Sequence, residues 1–191
     1  MENFWLCFVQ LFVAVDAVGT LPLFLSLTEG IDPAKRRRIV AQSVLTALIV
    51  GIGFLFLGDS VLVFLGITVN DFLVAGGILL LVISISDTLS GEKRRRRVDQ
   101  DSLGAVPIGV PLIVGPAVLT TSLLMLRQYG TLATVLSLVS NILIGGLVFL
   151  GSGLIIRALG KPGTRTVSKL AALLLAAIAV HMIRRGLAGT P

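Results

Sequence analysis

Three residues interrupt an otherwise apolar run in the stretch DAVGTLPLFLSLT: Asp16, Gly19 and Pro22. A second, heavier interruption lies in VPIGVPLIVGPAVLTT, where Pro107, Gly109, Pro111, Gly115 and Pro116 precede Thr120 and Thr121. A proline inside a helix removes a backbone donor and clashes with the preceding turn. In hydrocarbon the freed backbone groups survive only where protein or a water-filled cavity surrounds them. Proline suits the first turn of a helix, where its missing N–H is no loss. Gly115-Pro116 thus reads as a cap followed by the first residue of a new half-helix, and Thr20 reads as the N-cap of another. Such N-termini offer unpaired N–H groups and a partial positive charge, which suits a carboxylate. The hydroxyls of Thr20, Thr120 and Thr121 add donors and acceptors. The candidate substrate-binding set is Asp16, Gly19, Thr20, Pro22, Gly115, Pro116, Thr120 and Thr121.

Asp16 is the acidic residue that lies well inside an apolar run, whereas Asp59, Asp71 and Asp87 fall nearer the ends of theirs. An aspartate at the centre of a membrane helix costs about 2.5–3.5 kcal/mol, so it marks function by default. Two roles are open and can coexist. Asp16 can bond freed backbone N–H groups at the break, or it can hold an ammonium, a cation or a proton. The single cysteine, Cys7, excludes an intramolecular disulfide and a cysteine metal cluster. The apolar runs hold no Gly-x-Gly-Asp pair, no His-Glu-x-x-His and no serine–histidine arrangement, so an enzyme is not expected. His181, beside Arg184 and Arg185, reads as interfacial. No cofactor is expected beyond a coupling proton or Na+.

The elements that must carry these residues follow from composition. Of 191 residues, 55% are hydrophobic and only 14% are charged, with a mean hydropathy of +1.00. That exceeds what a soluble domain uses. Repeated apolar runs of about 20 residues indicate transmembrane helices. The expected fold is an all-α integral membrane protein with six spans, near 3–28, 39–58 (with a possible extension to Gly66), 71–89, 104–127, 131–157 and 166–186. From residue 3, Asp16 to Thr20 falls roughly 20–26 Å into the first span at about 1.5 Å per residue, close to mid-depth.

The net charge of +6 and pI near 10.5 would suit nucleic acid in a soluble chain. Here the basic residues sit in short loops, as membrane topology demands, and no nucleic-acid partner is expected. Lys35 to Arg38, Lys93 to Arg97, and Arg157, Lys161, Arg165 and Lys169 fall on one side. Of the 16 Lys and Arg, only Arg127, Arg184 and Arg185 fall on the other. Positive loops stay cytoplasmic, which places both termini outside a prokaryotic plasma membrane. The run EKRRRRVDQD serves as an orientation signal that also meets anionic lipid.

The two halves resemble each other. Gly58 and Gly66 match Gly151 and Gly160, AGGILLLVISI lies opposite AALLLAAIAV, and Gly19 lies opposite Gly115, all at a near-constant offset. Each half has three spans, so the halves must insert in opposite directions. The expectation is a single transmembrane domain over 1–191, with one repeat about 1–90, a cytoplasmic basic loop about 91–103 and an inverted repeat about 104–191. The first helix of each repeat is broken near the midplane. Inverted repeats that meet at a midplane site are a transporter architecture.

The residues also resemble the MarC family of membrane proteins, which includes SnatA-type transporters of small neutral amino acids. The likeness covers essentially the whole chain. Members typically carry Asp-Pro-x-Gly-Asn-x-Pro in the first span, and this chain has Asp16-Ala17-Val18-Gly19-Thr20-Leu21-Pro22. A proline-rich motif ending in Ala-Gly-Pro is matched by VPIGVPLIVGPAVLTT, with Val114 for the alanine. The closing LAALLLAAIAVHMIRRGL resembles the family's last span, where glutamine is commoner than His181. The resemblance implies a substrate such as glycine or alanine. A zwitterion of that size would offer its carboxylate to the half-helix ends and its ammonium to Asp16 or freed carbonyls. The expected function is a secondary transporter working by alternating access, partnered by the lipid bilayer and compatible with a homo-oligomer. The alternatives are a cation channel or ion-coupled exchanger using Asp16, or an efflux carrier for another small solute.

Overall fold

A computed structural model describes residues 2–89 and 103–188. The basic run at 93–97, and all but the last residue of the expected loop, lie outside the described residues. Within them, the regular structure is helical throughout: α1 (Glu2–Val15), α2 (Ala17–Leu27), α3 (Pro33–Leu65), α4 (Val69–Leu89), α5 (Gly104–Ile113), α6 (Pro116–Tyr129) and α7 (Thr131–Ala188). Among the described residues, three stretches are long and apolar enough to cross a membrane alone: Glu2–Leu27, Pro33–Gly58 and Thr131–Leu154. The pair α5–α6, bent by 55°, makes a fourth if it is taken as one span. Within α4 the apolar part is the shorter Leu73–Val82.

Local chemistry explains the boundaries. Asp32 caps α3 by accepting the Ala34 N–H at 2.9 Å, with Pro33 in the first helical position. This start lies earlier than the expected 39. Lys35 to Arg38 consequently belong to the first turns of α3 and not to a loop, because the cap and proline nucleate the helix ahead of them. Gly66, at φ 65°, ends α3 in the left-handed conformation that glycine adopts without strain. Thr68 and Asp71 then open α4 reciprocally. The Asp71 carboxylate accepts the Thr68 N–H at 2.7 Å, and the Thr68 hydroxyl accepts the Asp71 N–H at 3.2 Å.

The contacts give the relative direction of α1, α3, α5 and α7. Along α1 and the start of α7, the Ser137 hydroxyl bonds the Phe4 carbonyl and the Asn141 amide bonds the Phe8 carbonyl, each at 3.1 Å, so these two run parallel. A Cβ at Gly51 would lie 3.3 Å from Leu138, while one at Gly146 would meet Val44 and, farther off, Val40. Residue numbers on α3 rise as those on α7 fall, so the two are antiparallel. Gly104 faces Gln42 and the Ile39 carbonyl, and Gly109 faces Thr46 and the Ser43 carbonyl. Segment α5 therefore ascends beside α3 in the same direction. The interrupted pair α1–α2 and the interrupted pair α5–α6 cross the molecule in opposite senses.

The backbone of α7 is helical over 58 residues, which would make a straight rod about 87 Å long. Its contacts forbid a straight rod. Gly186 packs on the Asn70 carbonyl and Val74 near the start of α4, and Gly77 meets Ala179 and Ile183. The end of α7 thus lies beside the beginning of α4, level with the end of α3. The beginning of α7 lies at that same level, since it runs antiparallel to α3. Helix α7 must double back between Leu154 and Ala179, where the sequence offers Gly160-Lys161-Pro162-Gly163. Both described ends of the chain consequently lie on one side, opposite Pro33–Val40.

The interior is one apolar cluster that joins all seven helices, with Leu80 as the contribution of α4. Within it Phe24 and Phe149, both fully buried, stack with ring centroids 4.5 Å apart. The outer faces carry exposed apolar residues such as Val13, Leu45, Phe56, Leu57 and Leu147, the surface a bilayer would cover. The reversal of α7 makes a direct prediction. In a Cys7→Ala background, Val74→Cys with Gly186→Cys should form an oxidant-dependent disulfide, seen as a mobility shift on gels. An extended α7 would give no cross-link.

Candidate substrate site at two interrupted helices

The first break is one residue wide. Asp16 joins α1 to α2 in the left-handed conformation, φ 42° and ψ 53°, which aspartate and asparagine tolerate better than other side chains with a Cβ. Its carboxylate turns onto α2 and accepts the Gly19 N–H at 3.0 Å. Asp16 is thus the N-cap, and the expectation that Thr20 takes that role is corrected. Thr20 is the fourth residue of α2, and its hydroxyl donates to the Asp16 carbonyl at 2.9 Å. The cap falls on Asp16 because the left-handed turn brings its short side chain over the third residue of the helix. The same geometry explains the Asp-x-x-Gly spacing, since a Cβ at Gly19 would overlap the Asp16 carboxylate. Pro22 lies farther along, inside α2 and half-buried.

The second break is wider. Val106 and Val110, each preceding a proline, take extended conformations with φ near −135°. A following proline disfavours the helical region for just these positions. Pro107 and Pro111 cannot donate, and the remaining bonds reach five residues back, from Ile108 to Leu103 at 3.3 Å and from Val114 to Gly109 at 3.1 Å. Gly115 then caps α6 and Pro116 takes its first position, as expected from the sequence. Pro116 is buried against Gly76 of α4, 3.0 Å from where a Cβ would stand. The Thr120 hydroxyl donates to the Pro116 carbonyl at 2.7 Å, with Thr121 half-buried beside it.

The two breaks lie at matching depth. Ala17 and Val15 flank Gly145, while Val114 shares the neighbourhood of Gly51 with Leu138 and Ile142. Residues 138–145 occupy the middle of the span Thr131–Leu154. Two half-helix N-termini thus begin near mid-depth and point in opposite directions. The predicted residues fall into two clusters: Asp16, Gly19 and Thr20 bond one another, and Gly115, Pro116 and Thr120 form the second group. The Asp16 carboxylate and Gly19 are exposed on the chain's surface, while Gly115, Thr120 and Thr121 are half-buried. The two described cavities lie elsewhere, one at the start of α3 and one beside His181, Arg184 and Arg185.

Asn141 escaped the sequence reading. It is buried one turn before Gly145, and its amide donates to the carbonyls of Phe8 and Ser137. Its Oδ1 is buried with no hydrogen-bond partner, a state that costs about 1–3 kcal/mol in an apolar interior. The only available signal was an asparagine deep inside an apolar run. Cys7 and Thr134 approach to 4.0 Å on the same helix pair. Among the described residues, no group of three His, Cys, Asp or Glu could hold a metal.

The model of the MarC family of integral membrane proteins matches residues 1–190. The chain belongs to the MarC family. A UPF0056 membrane protein of Archaeoglobus fulgidus is 33% identical over 98% of this chain and 93% of its own length. A second, from Methanocaldococcus jannaschii, is 32% identical over 98% of this chain and 88% of its own. The UPF0056 inner membrane protein YhgN of Escherichia coli is 32% identical over 94% and 93% respectively. No solved structure matches the chain. In this MarC protein Ala17 stands where the motif quoted above has proline, and Ala17 is the first residue of α2. Proline at this first helical position would lose no hydrogen bond.

The cap geometry sets the order of stabilities. Asp16→Ala should cost about 1 kcal/mol, the usual loss for an N-cap, while Asp16→Asn should stay close to the parent because asparagine caps and tolerates φ above zero equally well. Gly19→Ala should destabilise through collision with the carboxylate. Thermal unfolding in detergent reads all three.

Proposed function

We propose that this MarC-family membrane protein is a secondary transporter of small neutral amino acids of the glycine and alanine class. It works by alternating access about the two interrupted helices. The observation that carries the reading is the pair of mid-depth breaks on spans of opposite direction, each ending in a half-helix N-terminus. In this reading the chain comprises six spans in two inverted repeats, with α4 as the third and the returning part of α7 as the sixth. The side that holds Pro33–Val40 faces the cytoplasm and both termini lie outside, following the placement of Lys35 to Arg38.

The chemistry fits a small zwitterion. The N–H groups that open α6 suit a carboxylate. The Asp16 carboxylate caps Gly19 through Oδ1, which leaves Oδ2 to accept from an ammonium. Facing hydrocarbon at this depth would be costly, so Asp16 needs water or a polar neighbour, and a solute pathway supplies both. The buried Asn141 Oδ1 is a further acceptor, one turn before the Gly145 that packs on the first break. The drive is an ion gradient, with a proton or Na+ as the coupling species, or the solute's own gradient.

Counterflow in proteoliposomes tests the proposal. Labelled glycine or alanine should exchange well above protein-free vesicles. Asp16→Asn, which preserves the cap, should cut the rate at least about tenfold, equivalent to one lost charge-assisted contact. Absence of exchange for every small amino acid, or full activity in Asp16→Asn, defeats the reading as stated.

A further inference from the structure

A cavity of about 340 Å³ lies between the first turns of α3 and the Phe149–Leu154 stretch of α7, outside both interrupted helices. Its polar wall is Arg36 and Arg37, and its apolar wall is Val40, Phe149, Leu150 and Leu154. Arg36 is held in place from behind. One guanidinium NH2 reaches the Thr28 carbonyl at 3.4 Å and the Ile31 carbonyl at 3.3 Å. Its Nε is buried with no hydrogen-bond partner. Among the described residues no carboxylate pairs with Arg36 or Arg37, and the nearby Asp32 is turned to the Ala34 N–H. Two neighbouring guanidinium groups at one cavity, without a carboxylate partner, favour an anion there. Guanidinium groups bind phosphate through paired N–H bonds, which makes phosphate the best match.

The apolar wall decides what carries the phosphate. Leu150 and Leu154 are 50% and 71% exposed, so the cavity opens sideways onto the lipid-facing surface. It also sits at a membrane boundary, because α3 enters its span at Pro33, in the turns that carry Lys35 to Arg38. A free anion in water has no use for that wall, whereas an acyl chain does.

We propose that this cavity is a binding site for an anionic phospholipid, with the phosphate on Arg36 and Arg37 and an acyl chain along Leu150 and Leu154. The bound lipid ties the N-terminus of α3 to α7 at the face carrying the basic residues. Gly153 lines the cavity, and a Cβ there would meet nothing within 4 Å. A large side chain at this position would occupy the space while both arginines stay in the sequence.

The test titrates the purified full chain in neutral detergent with short-chain phosphatidylglycerol, phosphatidylcholine or inorganic phosphate, read by thermal shift and by native mass spectrometry. Phosphatidylglycerol should bind and stabilise, and the other two should do so at least about tenfold more weakly. Arg36→Gln and Arg37→Gln should each weaken phosphatidylglycerol by about tenfold or more. Arg36 also holds the 28–31 turn, so Arg37→Gln and Gly153→Phe guard against a folding defect. Gly153→Phe should abolish lipid retention with both arginines intact. Equal binding of phosphatidylcholine would overturn the charge assignment, and inorganic phosphate matching phosphatidylglycerol would make the ligand a free anion. Unchanged lipid retention in both Arg37→Gln and Gly153→Phe would place the lipid elsewhere.

Discussion

Inside a bilayer every backbone N–H and C=O must find a partner within the protein, and the rest of this structure depends on how two helices break that rule and recover. At the first break the recovery is a single hydrogen bond, from the Gly19 N–H to the Asp16 carboxylate. It turns a charged residue at mid-depth into a cap and leaves the next helix to start cleanly. At the second break no side chain does this work. Bonds that reach five residues back carry the chain past two prolines, and Gly115-Pro116 then opens α6 with a residue that has no N–H to lose. One break is a sharp turn and the other a widened coil, yet both deliver a half-helix N-terminus at the same level.

Close contact between helices sets that level. With lipid on one side and apolar side chains on the other, the hydrophobic effect does little to bring helices together, and packing against small residues does more. Ala17 and Val15 at Gly145, Val114 at Gly51 and Pro116 at Gly76 bring the breaks against continuous helices. Those helices supply rigid walls for a segment that is not itself regular. The reversal of α7 adds its closing part to α4 and Pro116, so one long helix touches both interrupted spans. A transporter reading draws on this arrangement, because two interrupted elements held between rigid ones can exchange the face they open.

Charge is arranged around the same core. The basic residues that begin α3 lie at one boundary, where the Arg36 guanidinium is anchored by the Thr28 and Ile31 carbonyls and borders a cavity open toward lipid. Asp16 lies deeper, its carboxylate engaged with Gly19 but still accessible. The two groups divide the electrostatic tasks of a membrane protein between the interface and the interior.

Much of this was legible in the residues. Apolar runs of bilayer length, the clustering of Lys and Arg and the spacing of Pro and Gly determined a helical membrane protein with two breaks, because those features act locally or through lipid. Gly115-Pro116 as a cap and first turn followed from the missing proline N–H alone. Other features needed the fold. That Asp16 and not Thr20 caps α2 depends on a left-handed φ that no spacing reveals. Four basic residues assigned to a loop proved helical because Asp32 and Pro33 start α3 before them. The unpartnered Asn141 Oδ1, the cavity at Arg36, the doubling back of α7 and the common depth of the breaks all rest on contacts between residues far apart in the chain. The sequence alone determined where the backbone would fail. Tertiary packing decided what faces each failure, because neighbours across helices are chosen by shape and depth.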